Sequence, residues 1–447
     1  MFEKVLIANR GEIALRVLRA CRELGIKTVG VFSDADANLP HLRYVDQKVA
    51  LGGNLPQETY LNIEKIIRVC ELTGADAVHP GYGFLSENAE FVERLTGRGF
   101  KFIGPNPETL RGMKNKLHVK KCLHEAGVPV VPGPLEPVRS LEEGKAIAAE
   151  LGYPLLLKAS LGGGGRGIRV VEKPEDFEGA FQSAEREAKL AFGRGELYME
   201  KLIGRARHVE VQVLADTFGN VVHLGERECS LQRRRQKILE EAPSPALSGN
   251  LRQKICEAGV RAAKALNYTS CGTLEFLLTE EGEFYFMEFN ARIQVEHPVT
   301  EMISGVDIVR EQIRVGAGEK LKITQEEVLL RGHALEMRIN AEDPNKKFTP
   351  SPGKIARFEV PHGPGIRLDT HCYTGYVVPP YYDSLLGKLI VWDVDRDFAI
   401  RRAREALRSF VVEGVATTIP FHLKILSHPD FGKGMYHTQF LEENFYS

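Results

Sequence analysis

Paired cysteines and long apolar runs are both missing from this chain of 447 residues. Its seven cysteines are an odd number and include no CxxC pair, which argues against a disulfide framework and a cysteine-rich zinc site. Reduced thiols fit a cytoplasmic protein. The apolar run at residues 5–8 is too short for a signal peptide, and no run is long enough to span a membrane.

A strong charge of either sign is also lacking. The net charge is −1, so no overall field draws the protein to nucleic acid or to a membrane surface. The 43% hydrophobic and 27% charged residues are the balance of a globular protein with an ample core. The length predicts about three domains, which we place at residues 1–113, 114–330 and 331–447.

The first domain alternates short apolar runs with segments of helical spacing. Strands are predicted at residues 5–8, 28–32, 77–79 and 100–103, with helices near 13–25, 63–70 and 88–95. This alternation predicts a doubly wound parallel α/β sheet. Its first turn lacks GxGxxG, which argues against dinucleotide binding. The later turn GYGFLSEN either contributes to a ligand site or only caps a helix through Ser86 or Asn88.

Glycine is concentrated in one loop, within the stretch LLLKASLGGGGRGIRVV at residues 155–171. Strand-like segments flank it, helices are predicted before it at residues 114–126 and 141–151, and the Walker A pattern is absent. The loop is either a flexible hairpin turn or a lid whose backbone N–H groups approach phosphate. Four consecutive glycines cost folding entropy that a two-residue turn would avoid, which favours the lid.

Two acids lie on opposite arms of a predicted hairpin. Glu275 and Glu288 are each surrounded by apolar residues, and Asn290 follows on the second arm. Such acids are either paired core residues or ligands of a hard cation such as Mg²⁺.

The stretch EFNARIQVEHPVTE, residues 288–301, concentrates polar groups after a predicted strand. If the strand continues, Glu288, Asn290 and Arg292 share one face, and such a set is costly to bury without ligands. A solvated surface strand would show the same pattern, but the crowding of Gln294, Glu296 and His297 favours a functional site.

Other patterns leave alternatives open. The alternating segment HVEVQVLAD predicts a half-buried strand whose polar face is typically solvated. The cluster Arg233, Arg234, Arg235 and Lys237 is either a basic surface patch or an anion site. Cys229 has no evident base partner and is interpreted as structural. Residues 331–447 read as a separate α+β cap.

Seven stretches together resemble the biotin carboxylases of the ATP-grasp superfamily. They are IANRGEIALR, HPGYGFLSEN, KASLGGGGRGI, RHVEVQVLAD, EFNARIQVEHPVTEM, INAEDP and PPYYDS. The resemblance implies an ATP-grasp fold of mixed α/β and α+β class, with an N-terminal doubly wound sheet, a Gly-rich lid domain at about 131–203 and a C-terminal cap. It implies that ATP, with Mg²⁺ or Mn²⁺, phosphorylates bicarbonate to carboxyphosphate, whose carboxyl group passes to a ureido nitrogen of biotin.

The resemblance also assigns roles to residues of this chain. The nucleotide would contact Lys116, Lys158, Gly163, Gly164, Gly165, Glu200, Lys201, Ile203, His208 and Gln232. The metal would take Glu275, Glu288 and Asn290. Bicarbonate would lie against Lys237, Arg292, Gln294 and Val295, with Glu296 as its base, and Arg338 would stabilise the biotin enolate. Physical chemistry agrees, because bicarbonate is a weak nucleophile and phosphoryl transfer depends on charge neutralisation.

Departures and partners follow from the same resemblance. Position 235 is Arg where many relatives have His, which puts a nucleotide contact there in doubt. The sequence has no AMKM biotin-attachment motif, so biotin is expected on a separate biotin carboxyl carrier protein. A carboxyltransferase would choose the acceptor, acetyl-CoA for fatty acid biosynthesis, pyruvate or another. A homodimer is expected, and His297 and Glu301 are expected only to support the fold.

Two other functions remain possible at this stage. Another ATP-grasp ligase would share the lid, the lysines and the metal acids, but its ATP cleavage would not depend on bicarbonate or rise with biotin. A regulatory subunit with an inactive site would bind ATP without turnover. The joint presence of the lysines, the acids and Arg338 argues against the second alternative.

Overall fold

The computed structural model describes residues 1–160, 168–192 and 195–446 of the chain. Its N-terminal part alternates strands and helices, as the apolar pattern predicts. The elements are β1 (Lys4–Ile7), α1 (Gly11–Glu23), β2 (Lys27–Phe32), β3 (Gln47–Ala50), α2 (Ile63–Thr73), β4 (Ala77–His79), α3 (Ala89–Gly97) and β5 (Lys101–Phe102). The strands form one parallel sheet in the order β3-β2-β1-β4-β5, which confirms the doubly wound arrangement.

The capping interpretation of the GYGFLSEN turn is confirmed for one of its two candidates. The side chain of Asn88 accepts a hydrogen bond from the backbone N–H of Phe91 at 3.0 Å, so it caps α3. The same turn also sends Glu87 toward the site described below.

A small antiparallel sheet follows. Its region contains α4 (Pro107–Lys114), α5 (Lys116–Glu125), α6 (Leu141–Leu151), β6 (Leu155–Ala159), β7 (Ile168–Val171), α7 (Phe177–Phe192) and β8 (Leu197–Lys201). The strand order is β7-β6-β8. The helix predicted at residues 114–126 is present as α5, which begins at Lys116 because the side chain of Asn115 accepts from the N–H of His118 and caps it.

The remaining chain supplies the largest sheet. Its central elements are β9 (Ala206–Ala215), β10 (Val221–Arg233), β11 (Gln236–Ala242), α8 (Gly249–Ala265), β12 (Ser270–Thr279), β13 (Phe284–Asn290), α9 (His297–Ser304) and α10 (Ile308–Gly316). The cap elements are β14 (His333–Asn340), β15 (Glu342–Asp343), β16 (Thr349–Pro350), β17 (Gly353–Lys354), β18 (Arg357–Glu359), β19 (Ile366–Thr370), β20 (Val377–Val378), β21 (Leu385–Asp393), α11 (Arg396–Ser409), β22 (Val411–Glu413), α12 (Ile419–Ser427), α13 (Pro429–Gly432) and α14 (Phe440–Phe445). Short 3-10 turns lie at Asp34–Asp36, Pro40–Arg43, Pro56–Glu58, Pro174–Asp176, Gln325–Glu327 and Pro344–Lys346.

Eight strands pair in the order β13-β12-β9-β10-β11-β14-β21-β19. The cap, read from the sequence as separate, therefore shares this sheet with the central region through the pairing of β11 with β14. Helix α11 packs against β14 and β21 on one face, and α9 packs against β11, β14 and β21 on the other. We call the face covered by α11 the cap face; it carries Glu241 and His333. We call the face covered by α9 the site face; it carries Glu240, Glu336 and Arg338.

Among the residues that the structure describes, no helix combines the length and the apolar character needed to cross a bilayer.

Candidate active site

A row of acids runs across three neighbouring strands. Glu288 on β13 lies opposite Glu275 on β12, which lies opposite Glu210 on β9. Like charges directly opposite one another on paired strands are destabilising unless cations lie among them. The sequence predicted the pairing across the hairpin, and the structure brings those two acids together. The sequence analysis missed Glu210, because its segment was interpreted as a strand with a solvated polar face. In the structure Glu210 is fully buried.

Lys237 neutralises the middle of this row. Its Nζ donates to Glu210 at 2.5 Å, to Glu275 at 2.8 Å and to Glu296 at 2.7 Å. Burial alone would lower the pKa of Lys237, but the carboxylates raise it well above its ordinary value. One ammonium thus contacts both a predicted metal ligand and the predicted base. Within the basic cluster, Arg234 and Arg235 are instead exposed on the turn between β10 and β11.

Arg227, which sequence reasoning did not single out, lies fully buried behind the row. It donates to Glu210 at 2.5 Å and to Gln212, Thr300, Thr273 and Gln294 at 2.8 to 3.1 Å. A guanidinium with partners on five side chains is held rigidly. No local pattern signals it, because its partners come from three separate segments of the chain, β9, β12 and residues 288–301.

Gln294 is oriented by these neighbours. Its Oε1 accepts from Arg227 at 2.8 Å and its Nε2 donates to Glu275 at 2.9 Å. An amide nitrogen has two N–H groups, so one remains for a ligand. The next residue, Val295, accepts at its carbonyl oxygen from Nζ of Lys388 at 2.9 Å. The predicted bicarbonate residues therefore have fixed positions before any ligand arrives.

Arg292 lies just beyond the end of β13, so the strand does not extend to it. Its Nη2 donates to Oδ1 of Asn290 at 2.9 Å, and its Nε donates to Glu87 at 3.0 Å. Glu87 also accepts from the N–H of Ala291 at 3.0 Å. The GYGFLSEN turn thus holds this arginine, a contact that the sequence did not predict because the two segments lie about two hundred residues apart.

Glu296 stands between two cations. Oε1 accepts from Lys237 at 2.7 Å and Oε2 accepts from Nη2 of Arg338 at 2.9 Å. Burial would raise the pKa of Glu296, but Lys237 and Arg338 lower it to about 2. The group is therefore ionised at neutral pH, as a base must be. Arg338 also donates from Nε to Oε1 of Glu240 at 2.6 Å.

The end of the acid row at Glu288 differs from its middle. The charge of Glu275, followed by burial, raises the pKa of Glu288. Among the described residues its carboxylate has no hydrogen bond or ion pair, and the ammonium of Lys116 acts on it only through the electrostatic field. Asn290 lies beside the same acid pair, with Nδ2 donating to Glu275 at 3.0 Å.

These residues fit a divalent cation. An unpartnered carboxylate facing a second carboxylate has the charge that Mg²⁺ requires, and oxygen is its preferred ligand. The Asn290 oxygen already accepts from Arg292 but has a second lone pair. The predicted metal set of Glu275, Glu288 and Asn290 is therefore chemically consistent, although its role stays a prediction.

The predicted nucleotide lysines are arranged differently from one another. Lys158 on β6 pairs with Glu200 on β8, which also accepts from Lys120 at 3.0 Å. Burial would raise the pKa of Glu200, but these lysines lower it. The ammonium of Lys116 has no partner among the residues described. Lys120 was not predicted, and Lys158 would have to exchange its carboxylate for phosphate.

The predicted adenine segment presents backbone groups. The N–H of Lys201 donates to the carbonyl of Pro132 at 2.8 Å, and its Nζ donates to the carbonyl of Tyr153. The N–H of Ile203, just past β8, has no partner within the described part of the chain. A free backbone donor beside a sheet edge can recognise the edge of a base.

His208 and Gln232 lie together at the next strand. Their side chains contact each other at 2.9 Å, and Nε2 of His208 lies 3.2 Å from Glu275. Burial lowers the pKa of His208, but Glu275 raises it to about 9. The predicted lid residues Gly163, Gly164 and Gly165 lie outside the described residues.

Three residues close to the site have the structural surroundings that were expected. Cys229 is buried, and burial raises the pKa of its thiol well above the ordinary value. Glu301 pairs with Arg16 at 2.7 Å and with Arg367 at 2.8 Å, which ties α1 and β19 to α9. His297 is fully buried and hydrogen-bonds to the carbonyl of Gln294 at 2.8 Å.

A cavity of about 150 Å³ adjoins the site between the N-terminal region and the cap. Its lining includes Glu12, Tyr82, His371 and Asp383. Glu12 lies 3.1 Å from the same Lys388 Nζ that holds the carbonyl of Val295. The cavity lining and the predicted bicarbonate residues are therefore linked by one ammonium, which contacts Glu12 and the carbonyl of Val295.

Three family models match consecutive parts of the chain. They are the biotin carboxylase N-terminal domain at residues 1–110, the carbamoyl-phosphate synthase L chain ATP binding domain at 115–324 and the biotin carboxylase C-terminal domain at 336–443.

Curated and solved proteins agree with these models. The chain is 54% identical to a biotin carboxylase of Nostoc sp., over 99% of both chains. It is 50% identical to a biotin carboxylase of Bacillus subtilis, over 99% of this chain and 98% of that one. A biotin carboxylase of Campylobacter jejuni, solved as a β,γ-ATP complex, superposes with a TM-score of 0.96 at 48% identity over 99% of both chains.

Proposed function

The chain belongs to the biotin carboxylase family of ATP-grasp ligases, and we propose that its site carboxylates biotin in two steps that meet at residues 288–301. One observation carries this proposal. Lys237 contacts Glu275, on the metal and ATP side, and Glu296, on the bicarbonate side, at 2.8 and 2.7 Å. Carboxyphosphate forms where ATP and bicarbonate meet, and a single ammonium here touches both sides.

The first step activates bicarbonate. Glu296 accepts the proton of bicarbonate, and the oxygen so exposed attacks the γ-phosphorus of ATP while the bond to the bridging oxygen of ADP breaks. The anion is held by Lys237, Arg292 and Gln294. Because its translational and rotational entropy is already lost on binding, that loss no longer adds to the barrier of the reaction. The products of this step are ADP and carboxyphosphate.

The metal residues act on the ATP side. Mg²⁺ held by Glu275, Glu288 and Asn290 would neutralise charge on the phosphate oxygens. A biotin carboxylase domain of Hydrogenobacter thermophilus, 49% identical with a TM-score of 0.94, was solved with MgADP and bicarbonate, which supports the same ligands here. Lys116 supplies positive charge at the open end of the acid row.

The second step transfers the carboxyl group. The C–O bond of carboxyphosphate breaks, the leaving phosphate takes the proton of the ureido N–H, and that nitrogen forms the new bond to the carboxyl carbon. Negative charge develops on the ureido oxygen as the proton leaves, and the guanidinium of Arg338 stabilises it there until the N–C bond has formed. The cavity lined by Tyr82 and Asp383 offers room for biotin beside the pocket.

Partners and organisation follow from this chemistry. We propose that biotin arrives on a carrier protein and that a separate carboxyltransferase uses the product, with acetyl-CoA or pyruvate as acceptor. A homodimer is supported by the dimer of the related Hydrogenobacter domain. Seven unpaired cysteines support a cytoplasmic location. The proposed domains are 1–113, 114–330 with a lid at about 131–203, and 331–447, which the ranges of the family models support.

The proposal is tested by the substrate dependence of ADP release from the purified chain with MgATP. Release should require bicarbonate and should rise when free biotin is added. Glu281→Gln, a substitution at an exposed turn position, should show the same dependence on bicarbonate and biotin as the wild type. Bicarbonate dependence without any response to biotin would indicate a different ATP-grasp ligase, and ATP binding without turnover would indicate an inactive site.

A further inference from the structure

Two buried carboxyl groups beside Arg338 have no task in the reaction as proposed above. Glu240 on β11 and Glu336 on β14 are directly opposite in register and fully buried. Side chains directly opposite on antiparallel strands point to the same face, with Cβ atoms about 4.5 to 5.5 Å apart. The two acids therefore face each other on the site face.

Three of their four carboxyl oxygens lack a hydrogen-bond partner among the described residues. These are Oε2 of Glu240 and both oxygens of Glu336. The fourth, Oε1 of Glu240, accepts from Nε of Arg338 at 2.6 Å and lies 2.5 Å from its Nη2. Two buried carboxylates without partners would be costly, and neighbouring carboxyl groups relieve that cost by holding one proton between them.

The charged groups that face the pair come from four elements. They are Arg338 on β14, Lys388 on β21, Lys237 on β11 and Glu296 just before α9. Burial raises the pKa of Glu336 well above its ordinary value, although Lys388 acts against this. Burial also raises the pKa of Glu240, to about 7, against the effect of Arg338. The contact with Arg338 makes Glu240 the more acidic member, so the proton belongs on Glu336.

We propose that protonated Glu336 donates its O–H to Oε2 of Glu240, and that Glu240, held in this way, is the positioning residue that aims Arg338 at biotin. The pair then presents one negative charge to Arg338 instead of two. Without the shared proton, the guanidinium of Arg338 would be surrounded by three carboxylates, those of Glu240, Glu336 and Glu296. Their charge would repel the negatively charged ureido oxygen. This inference rests on the proposed role of Arg338.

The test compares two activities of each full-length variant, the bicarbonate-dependent ADP release without biotin and the additional release with saturating free biotin. Glu336→Leu and Glu240→Gln should each lower the ratio of biotin-stimulated to biotin-independent release by about 10²-fold, the scale of a misplaced catalytic group. Glu336→Gln, whose amide keeps an N–H donor, should restore most of the ratio that Glu336→Leu loses. Glu413→Gln, at an exposed cap position, is the matched control.

Infrared difference spectra of wild type and Glu336→Gln report the proton directly, and Glu336→Gln preserves side-chain volume so that folding is retained. The wild type should show the C=O band of a protonated carboxyl that Glu336→Gln lacks. Absence of that band from the wild type would overturn the shared proton. Equal losses of both activities in Glu240→Gln and Glu336→Leu, or no loss in either, would overturn the positioning role.

Arg338→Gln separates failure of this inference from failure of the proposed function. Unchanged biotin stimulation in Arg338→Gln would refute the role of Arg338 itself. Loss of stimulation in Arg338→Gln, with a wild-type ratio in Glu240→Gln, would refute only the positioning role of Glu240.

Discussion

Glu240 and Glu241 are neighbours on β11 and point to opposite faces of the same sheet, and their pKa values are shifted in opposite directions. On the cap face, Glu241 accepts from Arg396 at 2.6 and 3.0 Å, contacts His333 at 2.5 Å and pairs with the hydroxyl of Tyr436. Burial would raise its pKa, but Arg396 and His333 lower it to about 2. On the site face, burial raises the pKa of Glu240 to about 7, and one of its oxygens has no described partner.

The difference separates charges that hold the fold from charges that act on substrates. A buried carboxylate with several donors is a structural hub, because every lone pair is satisfied. Incomplete satisfaction costs stability and is expected beside a reaction site, where a shared proton completes the set at Glu240 and a ligand would complete it elsewhere. Glu288, with its raised pKa and no described partner, follows the same rule on the metal side.

The largest effect that would sharpen this contrast is expected from Glu288→Lys. A cation in place of an unpartnered carboxylate removes a metal ligand and repels the metal, so MgATP cleavage should fall below detection, by more than about 10⁴-fold. Bicarbonate-dependent ADP release measures it. Glu281→Lys, the same charge change at an exposed turn position, should be unaffected, and a wild-type rate in Glu288→Lys would remove the metal assignment.

Glu296→Gln should have the next largest effect. It keeps side-chain volume but cannot accept the proton of bicarbonate, so turnover should fall by about 10³-fold while ATP binding stays nearly intact. Nucleotide titration and ADP release on the same preparation measure the two quantities. Unchanged turnover would rule out Glu296 as the base.

How well the sequence predicts a contact depends on how far apart the two contacting residues lie along the chain. A local hairpin predicts that Glu275 and Glu288 lie close together. Their direct pairing depends on a β-bulge between Glu275 and Phe276, because the register at the turn would otherwise place Glu275 opposite Met287. The residues Glu87, Arg227 and Glu240 were missed, since each acts through segments far along the chain. Glu240 meets Glu336 only through the pairing of β11 with β14, a register that no local pattern determines.

The resemblance reaches further than the residue patterns alone, but its residue assignments remain predictions. It named Lys237, Glu296 and Arg338, and the structure brings these three into direct contact. It did not show that Lys158 pairs with Glu200, because an ion pair between two strands depends on side-chain conformations.

Glu241→Gln should affect stability rather than chemistry. Removing one partner of a buried ion pair leaves Arg396 uncompensated, so the free energy of unfolding should fall by about 3 kcal/mol. Turnover per folded molecule should remain close to wild type. Chemical denaturation and active-site titration measure the two, and a loss of turnover without a loss of stability would break the distinction between the faces.

The pH dependence of that stability difference is the smallest expected effect. The pKa of Glu241 is lowered from its ordinary value of 4.5 to about 2. Its stabilisation is therefore fully present above about pH 4.5 and is lost as pH falls toward 2. The gap in unfolding temperature between wild type and Glu241→Gln should shrink across that window; a gap that widened as the pH fell would contradict the sign.

The central claim is that ATP cleavage in this chain activates bicarbonate for transfer to biotin at the meeting point of Lys237 and Glu296. Incubation with MgATP, isotopically labelled bicarbonate and free biotin, followed by detection of labelled carboxybiotin, tests it most directly. The account predicts label on biotin in wild type and its loss in Glu296→Gln and Arg338→Gln. ADP release without label on biotin in the wild type, at any biotin concentration, would contradict it.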